Sequence, residues 1–201
     1  MANQEIEVKF AVRDLGKIED KLVREGAQMI MPRSHEVNLR FDTTDGKLSK
    51  NGQALRLRQD QHITLTYKGP SHEQEGARVR TEIQTRVDDF GAAMSILEAL
   101  GFQVVLRYEK FRTEYLWRET HVSLDEMPYG IFLEVEGENP NAVREVCDAF
   151  GLKWANRIPY SYVEIFTRLQ EIYALPSRDL TFDAFHSWQG SLSVLGIYPA
   201  D

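Results

Sequence analysis

The feature that most constrains this fold is an alternation of charged and apolar residues that recurs along most of the chain. It begins with residues 5–10, EIEVKF, in which two acids and a base alternate with three apolar residues. Successive side chains of a β-strand point to opposite faces, so each such segment predicts a strand with one charged and one apolar face. The pattern returns in residues 36–42, 53–60, 62–68, 77–85, 106–117, 120–126 and 131–137. The sequence therefore predicts about eight strands, separated by Gly- and Pro-containing turns and by the exposed loop 71–76.

Apolar residues at helical spacing interrupt the strands. The spacing predicts helices over residues 14–25, 88–100, 140–150 and 161–173. Asp14 and Ser161 are suitable N-cap residues for the first and last of these helices. Residues 176–201 are less periodic, but Phe182, Phe185, Trp188 and Leu192 indicate a short packed helix. Together these elements predict an α+β fold in which helices cover the apolar faces of the strands.

The charged faces can be interpreted in two ways. An antiparallel sheet with one face in water also shows alternating charges, and this explains any single strand. Across the set, however, acids concentrate on the first, seventh and eighth predicted strands, and bases on the third, fourth and sixth. Solubility does not require this segregation, whereas a site that holds an anion together with a divalent cation does. Eight antiparallel strands can close into a barrel, which would place the charged faces inside.

Composition excludes several classes of protein. The chain of 201 residues has a net charge of −7, which disfavours a nucleic-acid binder. Its single cysteine, Cys147, lies among apolar residues and is predicted to be a buried, inert thiol. No apolar run approaches the roughly 18 residues of a membrane span. We therefore expect a cytoplasmic protein that binds neither nucleic acid nor membrane.

Charged motifs occur in a characteristic order along the strands. The chain contains Glu5-x-Glu7-x-Lys9, Arg56-x-Arg58, Lys68-Gly69-Pro70, Arg80-x-Glu82, Lys110-x-Arg112, Asp125 and Glu134-x-Glu136. Over about residues 3–170 this set resembles the CYTH superfamily, the triphosphate tunnel metalloenzymes. That group includes class IV adenylyl cyclases, thiamine triphosphatases and inorganic triphosphatases. The resemblance implies an eight-stranded antiparallel tunnel with helices outside, formed by residues 1–175, with residues 176–201 as an extension packed on or capping it.

The resemblance also implies roles for individual residues. Those expected to bind the triphosphate are Lys9, Arg40, Arg56, Arg58, Lys68, Arg80, Lys110 and Arg112. Those expected to bind metal are Glu5, Glu7, Glu134 and Glu136, supported by Glu82 and Asp125. Glu5, Glu7 and Lys9 are the expected catalytic residues. Hard oxygen ligands and a phosphate substrate suit Mg²⁺ or Mn²⁺.

The resemblance leaves the reaction open. A triphosphatase acting on tripolyphosphate, thiamine triphosphate or ATP is favoured, and a class IV adenylyl cyclase or a non-catalytic polyphosphate or nucleotide binder are the alternatives. Arg40 stands where family members commonly have a tyrosine, which weakens the case for thiamine triphosphate and adds a phosphate contact. Ser161 and Tyr162 either begin the last helix or also line one end of the tunnel. A homodimer is compatible with such tunnels.

Overall fold

The computed structural model describes residues 3–201, and its core is a closed antiparallel barrel of eight strands. The strands are β1 (Asn3–Ala11), β2 (Gln28–Thr43), β3 (Ala54–Gln59), β4 (Ile63–Gln74), β5 (Ala77–Arg86), β6 (Phe102–Trp117), β7 (Thr120–Met127) and β8 (Gly130–Gly137). Their order around the barrel is β1-β5-β4-β3-β2-β6-β7-β8, and β8 closes on β1. The predicted fold class and strands are therefore confirmed. Residues 1 and 2 of the predicted tunnel domain lie outside the described range.

Helices cover the outside of the barrel. They are α1 (Leu15–Arg24), α2 (Lys47–Lys50), α3 (Phe90–Ala99), α4 (Pro140–Phe150) and α5 (Tyr162–Tyr173), with 3₁₀ turns at Trp154–Asn156 and Leu192–Leu195. The four predicted helices are confirmed, and each begins after a side chain that accepts a hydrogen bond from a first-turn amide. Ser161 and Glu164 form a reciprocal capping box on α5. The four-residue α2 was not predicted, because it is too short to show an apolar period.

Three regions differ from the predicted boundaries. β2 and β6 each begin before the alternating segment, and the early residues of each strand pair with the late residues of the other. The predicted loop 71–76 is mostly strand, because residues 71–74 pair with residues 77–80 in a hairpin. The predicted helix after residue 176 is wrong: residues 182–187 form turns. The apolar side chains there, such as Phe185, are buried against α5 although the backbone that carries them is not helical.

The apolar faces of the strands meet the helices in separate clusters. α1 and α4 cover the wall near β1 and β8, and Cys147 is fully buried there, as predicted. α5 and the C-terminal residues cover a second region of the wall, and α3 packs on β2 and β3. Burying each large side chain contributes about 1.5–3 kcal/mol, so this outer layer provides the main hydrophobic stabilisation. The barrel interior is thereby left for polar side chains.

The C-terminal residues lie on the outside of the barrel. Leu180 exchanges backbone hydrogen bonds with Arg107 and Glu109 of β6, both 2.9 Å long. Near the end of the chain, the Ala200 amide donates to the Ala11 carbonyl at 2.9 Å. These hydrogen bonds hold the C-terminal segment against the outer wall of the barrel. Within residues 3–201, no helix combines the length and the apolar character needed to span a bilayer.

Asp42, at the end of β2, holds the turn that leads into α2. It is 2% exposed, and it accepts hydrogen bonds from the amides of Thr43 and Leu48, both at 2.8 Å, and from the Ser49 hydroxyl at 2.6 Å. Burial alone would raise its pKa, but hydrogen bonds from Ser49, Leu48 and Thr43 outweigh burial and lower the pKa from 3.8 to about 2. The charged carboxylate is therefore part of the folded structure.

We expect Asp42→Asn to lower the free energy of unfolding by about 1–3 kcal/mol at neutral pH, because buried donors lose an acceptor. Since the folded pKa is depressed, this contribution is complete above pH 3.8 and is lost as the pH falls towards about 2. Urea unfolding at several pH values should therefore show the two proteins converging in acid. Asp45→Asn, at an exposed position of the same turn, is the control and should change stability little. A constant difference down to about pH 2 would contradict the assignment.

Candidate functional site

The barrel encloses a cavity of about 310 Å³ lined almost entirely by polar and charged side chains. Every strand of the barrel and the first turn of α5 contribute to this lining. Of the residues predicted from the sequence, those that line it are Glu5, Glu7, Lys9, Arg40, Arg56, Arg58, Lys68, Arg80, Glu82, Lys110, Arg112, Glu134 and Glu136. The alternation of the strands explains this, because the charged face of each strand points away from the helices.

Several of these charges neutralise one another across neighbouring strands. Lys9 lies opposite Glu134, and their Nζ and Oε1 atoms are 2.8 Å apart. Lys68 lies opposite Glu82 at 2.7 Å. Its Nζ also donates to Glu5 at 2.6 Å. Opposite charges in register stabilise a sheet, so these residues hold the barrel together even without a ligand.

Two other register pairs bring like charges together. Glu7 of β1 lies directly opposite Glu136 of β8, and Arg40 of β2 lies directly opposite Arg56 of β3. Like charges placed directly opposite each other destabilise a sheet. The cavity thus has an acidic side around Glu136 and a basic side around Arg40 and Arg56, although Glu7 is partly neutralised by Arg80 of β5 at 3.5 Å.

On the acidic side, Glu136 lines the cavity, and its side chain is solvent-exposed there. Desolvation, followed by the nearby carboxylates of Glu5 and Glu7, raises its pKa to about 7. Within residues 3–201, no group of three or more His, Cys, Asp or Glu side chains is already arranged around one metal position. Nevertheless, a divalent cation fits the donor set, because Glu5, Glu7 and Glu136 are hard oxygen ligands near one another. Glu5 and Glu7 are partly neutralised by Arg80, at 2.6 and 3.5 Å, whereas Glu136 has no ion-pair partner in the part of the chain that the structure describes, residues 3–201.

On the basic side, Arg40 is the least compensated cation. Burial, together with the neighbouring charges of Arg56 and Arg80, lowers the pKa of Arg40. The buried Nε atoms of Arg40 and Arg56 have no hydrogen-bond partner within residues 3–201. Buried donors are normally satisfied, so these guanidinium groups have N–H donors available for an anion.

Asp125 and Glu134, predicted as metal ligands, have their carboxylates occupied by bases. Asp125 is fully buried behind the lining and accepts a hydrogen bond from Arg112 Nε at 2.6 Å. Its other close partners are Lys110 Nζ at 3.2 Å and the Tyr162 hydroxyl at 2.7 Å. Glu134 binds both Lys9 and Arg112. The structure therefore places these two acids as counter-ions of the basic side chains.

Sequence reasoning missed several residues of the site. Glu36 is fully buried, and although burial would raise its pKa, Lys110, Arg112 and Arg58 lower it to about 2. Glu36 lies behind the lining, and the lining residues that were not predicted are Ala54, Gln84, Tyr108, Glu114, His121, Ser123 and Val163. Ser161 and Tyr162 also line the cavity, which agrees with the second of the two alternatives given for them. The alternation itself could have identified most of the missed residues. Glu36 shares a strand face with Arg40, and Tyr108 shares one with Lys110.

Comparison with known proteins agrees with this geometry. The CYTH domain family matches residues 3–162. A candidate adenylate cyclase from Methanocaldococcus jannaschii is 28% identical over 172 residues, which cover 80% of this chain and 97% of that protein. A solved structure from Pyrococcus horikoshii is 27% identical with a TM-score of 0.68, covering 82% of this chain and 98% of that one.

The fold likeness extends to more distant proteins. The structure of a candidate adenylate cyclase from Vibrio parahaemolyticus, 22% identical, superposes with a TM-score of 0.74 and covers 83% of this chain and 99% of that one. The family match spans most of the 201-residue chain, and the closed eight-stranded barrel agrees with it. This chain therefore belongs to the CYTH domain family.

Proposed function

We propose that this protein is a divalent-metal-dependent triphosphatase that hydrolyses tripolyphosphate or an organic triphosphate. The observation that carries the proposal is that one cavity is lined by two like-charge pairs in strand register, Arg40 opposite Arg56 and Glu7 opposite Glu136. An anion would relieve the repulsion in the first pair, and a cation would relieve it in the second. A polyphosphate bound with Mg²⁺ or Mn²⁺ supplies both charges at once.

Each side of the cavity has a distinct part in this proposal. Arg40, Arg56 and Arg58 bind phosphate oxygens, for which the planar guanidinium group is suited. Glu5, Glu7 and Glu136 are the residues that would hold the metal. A divalent ion bound there would neutralise phosphate charge and acidify a water molecule. Lys9, oriented by Glu134, stabilises the charge that develops on the phosphate.

The lining favours a small polyanion over a nucleotide. Apart from charged and polar groups, it contains two tyrosines, Tyr108 and Tyr162, and the small apolar side chains of Ala54 and Val163. Both tyrosines are only 7% exposed, so neither offers an open ring face on which a purine could stack. We therefore rank tripolyphosphate first, ahead of thiamine triphosphate and ATP.

An adenylyl cyclase is the second candidate, because the Methanocaldococcus jannaschii relative is named as one. In that reaction the ribose 3′-hydroxyl attacks the α-phosphorus of ATP and pyrophosphate leaves. In hydrolysis, water attacks the terminal phosphorus instead. The same fold also occurs in a protein that hydrolyses triphosphates. A candidate adenylyl cyclase from Hippeastrum, described as having a dominant triphosphatase activity, is 19% identical to this chain with a TM-score of 0.63.

The purified protein should be incubated with tripolyphosphate, thiamine triphosphate and ATP, each with Mg²⁺ or Mn²⁺. We expect orthophosphate from tripolyphosphate, and no product when EDTA removes the metal. Formation of cyclic AMP and pyrophosphate from ATP would instead establish the cyclase. Tight binding of tripolyphosphate without turnover of any substrate would identify a non-catalytic binder and overturn the proposal.

A further inference from the structure

Five side chains form a closed ring of contacts at the end of the cavity nearest α5. Their order is Lys9, Glu134, Arg112, Asp125 and Tyr162, and the last residue returns to the first. Lys9, Glu134, Arg112 and Asp125 belong to the barrel strands β1, β8, β6 and β7. Tyr162 comes from the first position of α5. The helix thus completes a network that otherwise belongs to the barrel.

Tyr162 contacts two parts of this network with different chemistry. Its hydroxyl donates to Asp125 Oδ2 at 2.7 Å. Its ring lies under Lys9, with Nζ 4.1 Å from the ring centroid, a distance at which a cation is attracted to the aromatic face. From behind, Phe132 packs edge-on at 5.2 Å, and the Tyr129 hydroxyl donates to the Tyr162 carbonyl at 2.9 Å. The tyrosine is therefore held in one orientation.

Asp125 links the hydroxyl of Tyr162 to the basic side chains of Arg112 and Lys110. It is fully buried, so its oxygens depend on the protein for hydrogen bonds. It binds the guanidinium of Arg112 through both oxygens and also contacts Lys110. Both of these bases line the cavity. The direction in which Arg112 presents its remaining N–H groups thus depends on the orientation of Asp125.

We propose that Tyr162 is a positioning residue that fixes two cations of the anion-binding site, Lys9 through its ring and Arg112 through Asp125. Binding of a polyanion therefore depends on α5 being docked against the barrel. The inference rests on the proposed function, because it assigns the ring to triphosphate binding. Tyr162 itself need not touch the substrate, since its effect passes through charged neighbours.

Two substitutions separate the contribution of the Tyr162 hydroxyl from that of its ring. Tyr162→Phe removes the hydroxyl and keeps the ring over Lys9, whereas Tyr162→Leu removes both. We expect calorimetric binding of tripolyphosphate to metal-free protein to weaken by about 5–10-fold in Tyr162→Phe, as for a lost charge-assisted hydrogen bond. In Tyr162→Leu we expect weakening by about 50-fold, because Lys9 also loses its aromatic partner. Melting temperatures should be recorded for each variant to verify folding.

Tyr129→Phe is the matched control. It removes one tyrosine hydroxyl that anchors the α5 backbone but contacts no charged member of the ring. Tripolyphosphate should bind this variant within about twofold of wild type. Equal losses in Tyr129→Phe and Tyr162→Phe would show that the hydroxyls only secure the helix, and would overturn the positioning role.

A double-mutant cycle tests whether Tyr162 acts through Asp125. Tyr162→Phe should weaken binding by no more than about twofold when Asp125 is already replaced by asparagine, because the neutral amide no longer forms the ion pair through which the hydroxyl would act on Arg112. Independent, multiplicative losses would contradict the route through Asp125. If Asp125→Asn does not fold, the comparison of the Tyr162 and Tyr129 variants still decides the question.

A measurement without substrate separates this inference from the proposed function. A tyrosine ring under Lys9 should shift the Lys9 side-chain NMR signals upfield in wild type, in Tyr162→Phe and in Tyr129→Phe, but not in Tyr162→Leu. Absence of that pattern would overturn the inference whatever the protein binds. If the pattern is present but wild type does not bind tripolyphosphate, the proposed function fails while the placement of Lys9 by Tyr162 stands.

Discussion

Replacing Glu136 by glutamine is expected to lower metal-dependent kcat/KM by about three orders of magnitude or more. Glu136 lies opposite Glu7 on the acidic side of the cavity, where the carboxylates would hold the metal. An amide keeps the shape but removes the charge, and a divalent ion contributes several kcal/mol to the stabilisation of phosphate charge, with about 1.4 kcal/mol for each tenfold in rate. Orthophosphate release at increasing Mn²⁺ concentration measures the effect.

The same substitution should stabilise the metal-free protein. The folded pKa of Glu136, about 7, lies above its usual value of 4.5, so the folded state binds the proton more tightly than the unfolded state. Wild type therefore loses stability as the pH rises from 4.5 to about 7, and the charged form is unfavourable above that range. We expect Glu136→Gln to melt higher than wild type at about pH 8 in EDTA, and the difference to disappear at about pH 4.

Glu114→Gln is the control for this prediction. Glu114 also lines the cavity, but it lies on β6 beside Arg112, away from Glu7. Its loss should reduce turnover by less than about tenfold and should not raise the melting temperature. If Glu136→Gln kept more than about a tenth of wild-type activity at saturating metal, the acidic side could not be the metal site.

The second large effect is expected at Arg40. Arg40→Met should weaken tripolyphosphate binding by about 10–100-fold, because a charge-assisted contact to phosphate is lost. It should also raise the melting temperature of the ligand-free protein, because methionine fills similar space without placing a second charge opposite Arg56. Calorimetry at several salt concentrations should show a smaller salt dependence for the variant.

Arg144→Met, on the outer surface of α4, is the corresponding control. Arg144 is exposed; it pairs with Asp148, one turn further along the helix, and its guanidinium lies 4.7 Å from the centroid of the Trp154 ring, away from the cavity. This variant should bind tripolyphosphate as tightly as wild type does, and its melting temperature should be equal to that of wild type or slightly lower. A loss of stability in Arg40→Met without any loss of binding would show that Arg40 supports the barrel and does not bind the anion.

The sequence allowed the faces of the strands to be predicted, but not which residues would become neighbours. Alternation assigns Glu7 and Glu136 to the same kind of face, yet it says nothing about β1 lying beside β8. That pairing joins distant segments, and irregularities such as the register shift at Arg40/Phe41 alter which residues are opposite one another. The distinction between compensated and uncompensated charges therefore required the coordinates.

The position of α5 shows the same limit. Apolar spacing and the Ser161 cap were sufficient to predict the helix. The placement of Tyr162 over Lys9 and against Asp125 depends on how the helix docks, which local sequence does not determine. The predicted helix among the C-terminal residues was wrong for a related reason. Phe185 has the spacing of a helical residue, but tertiary packing buries it from a turn.

The closure of the barrel has a consequence for how the chain is made. β1 lies between β5 and β8, so the barrel wall cannot close until β8, the last of its strands to be synthesised, has paired with β1, the first. Nascent chains emerge from the ribosome at about 5–20 residues per second, and pairings between distant segments are slow to form. During translation the acids of β1 therefore remain apart from Glu136, and the charged cavity cannot form until that strand arrives.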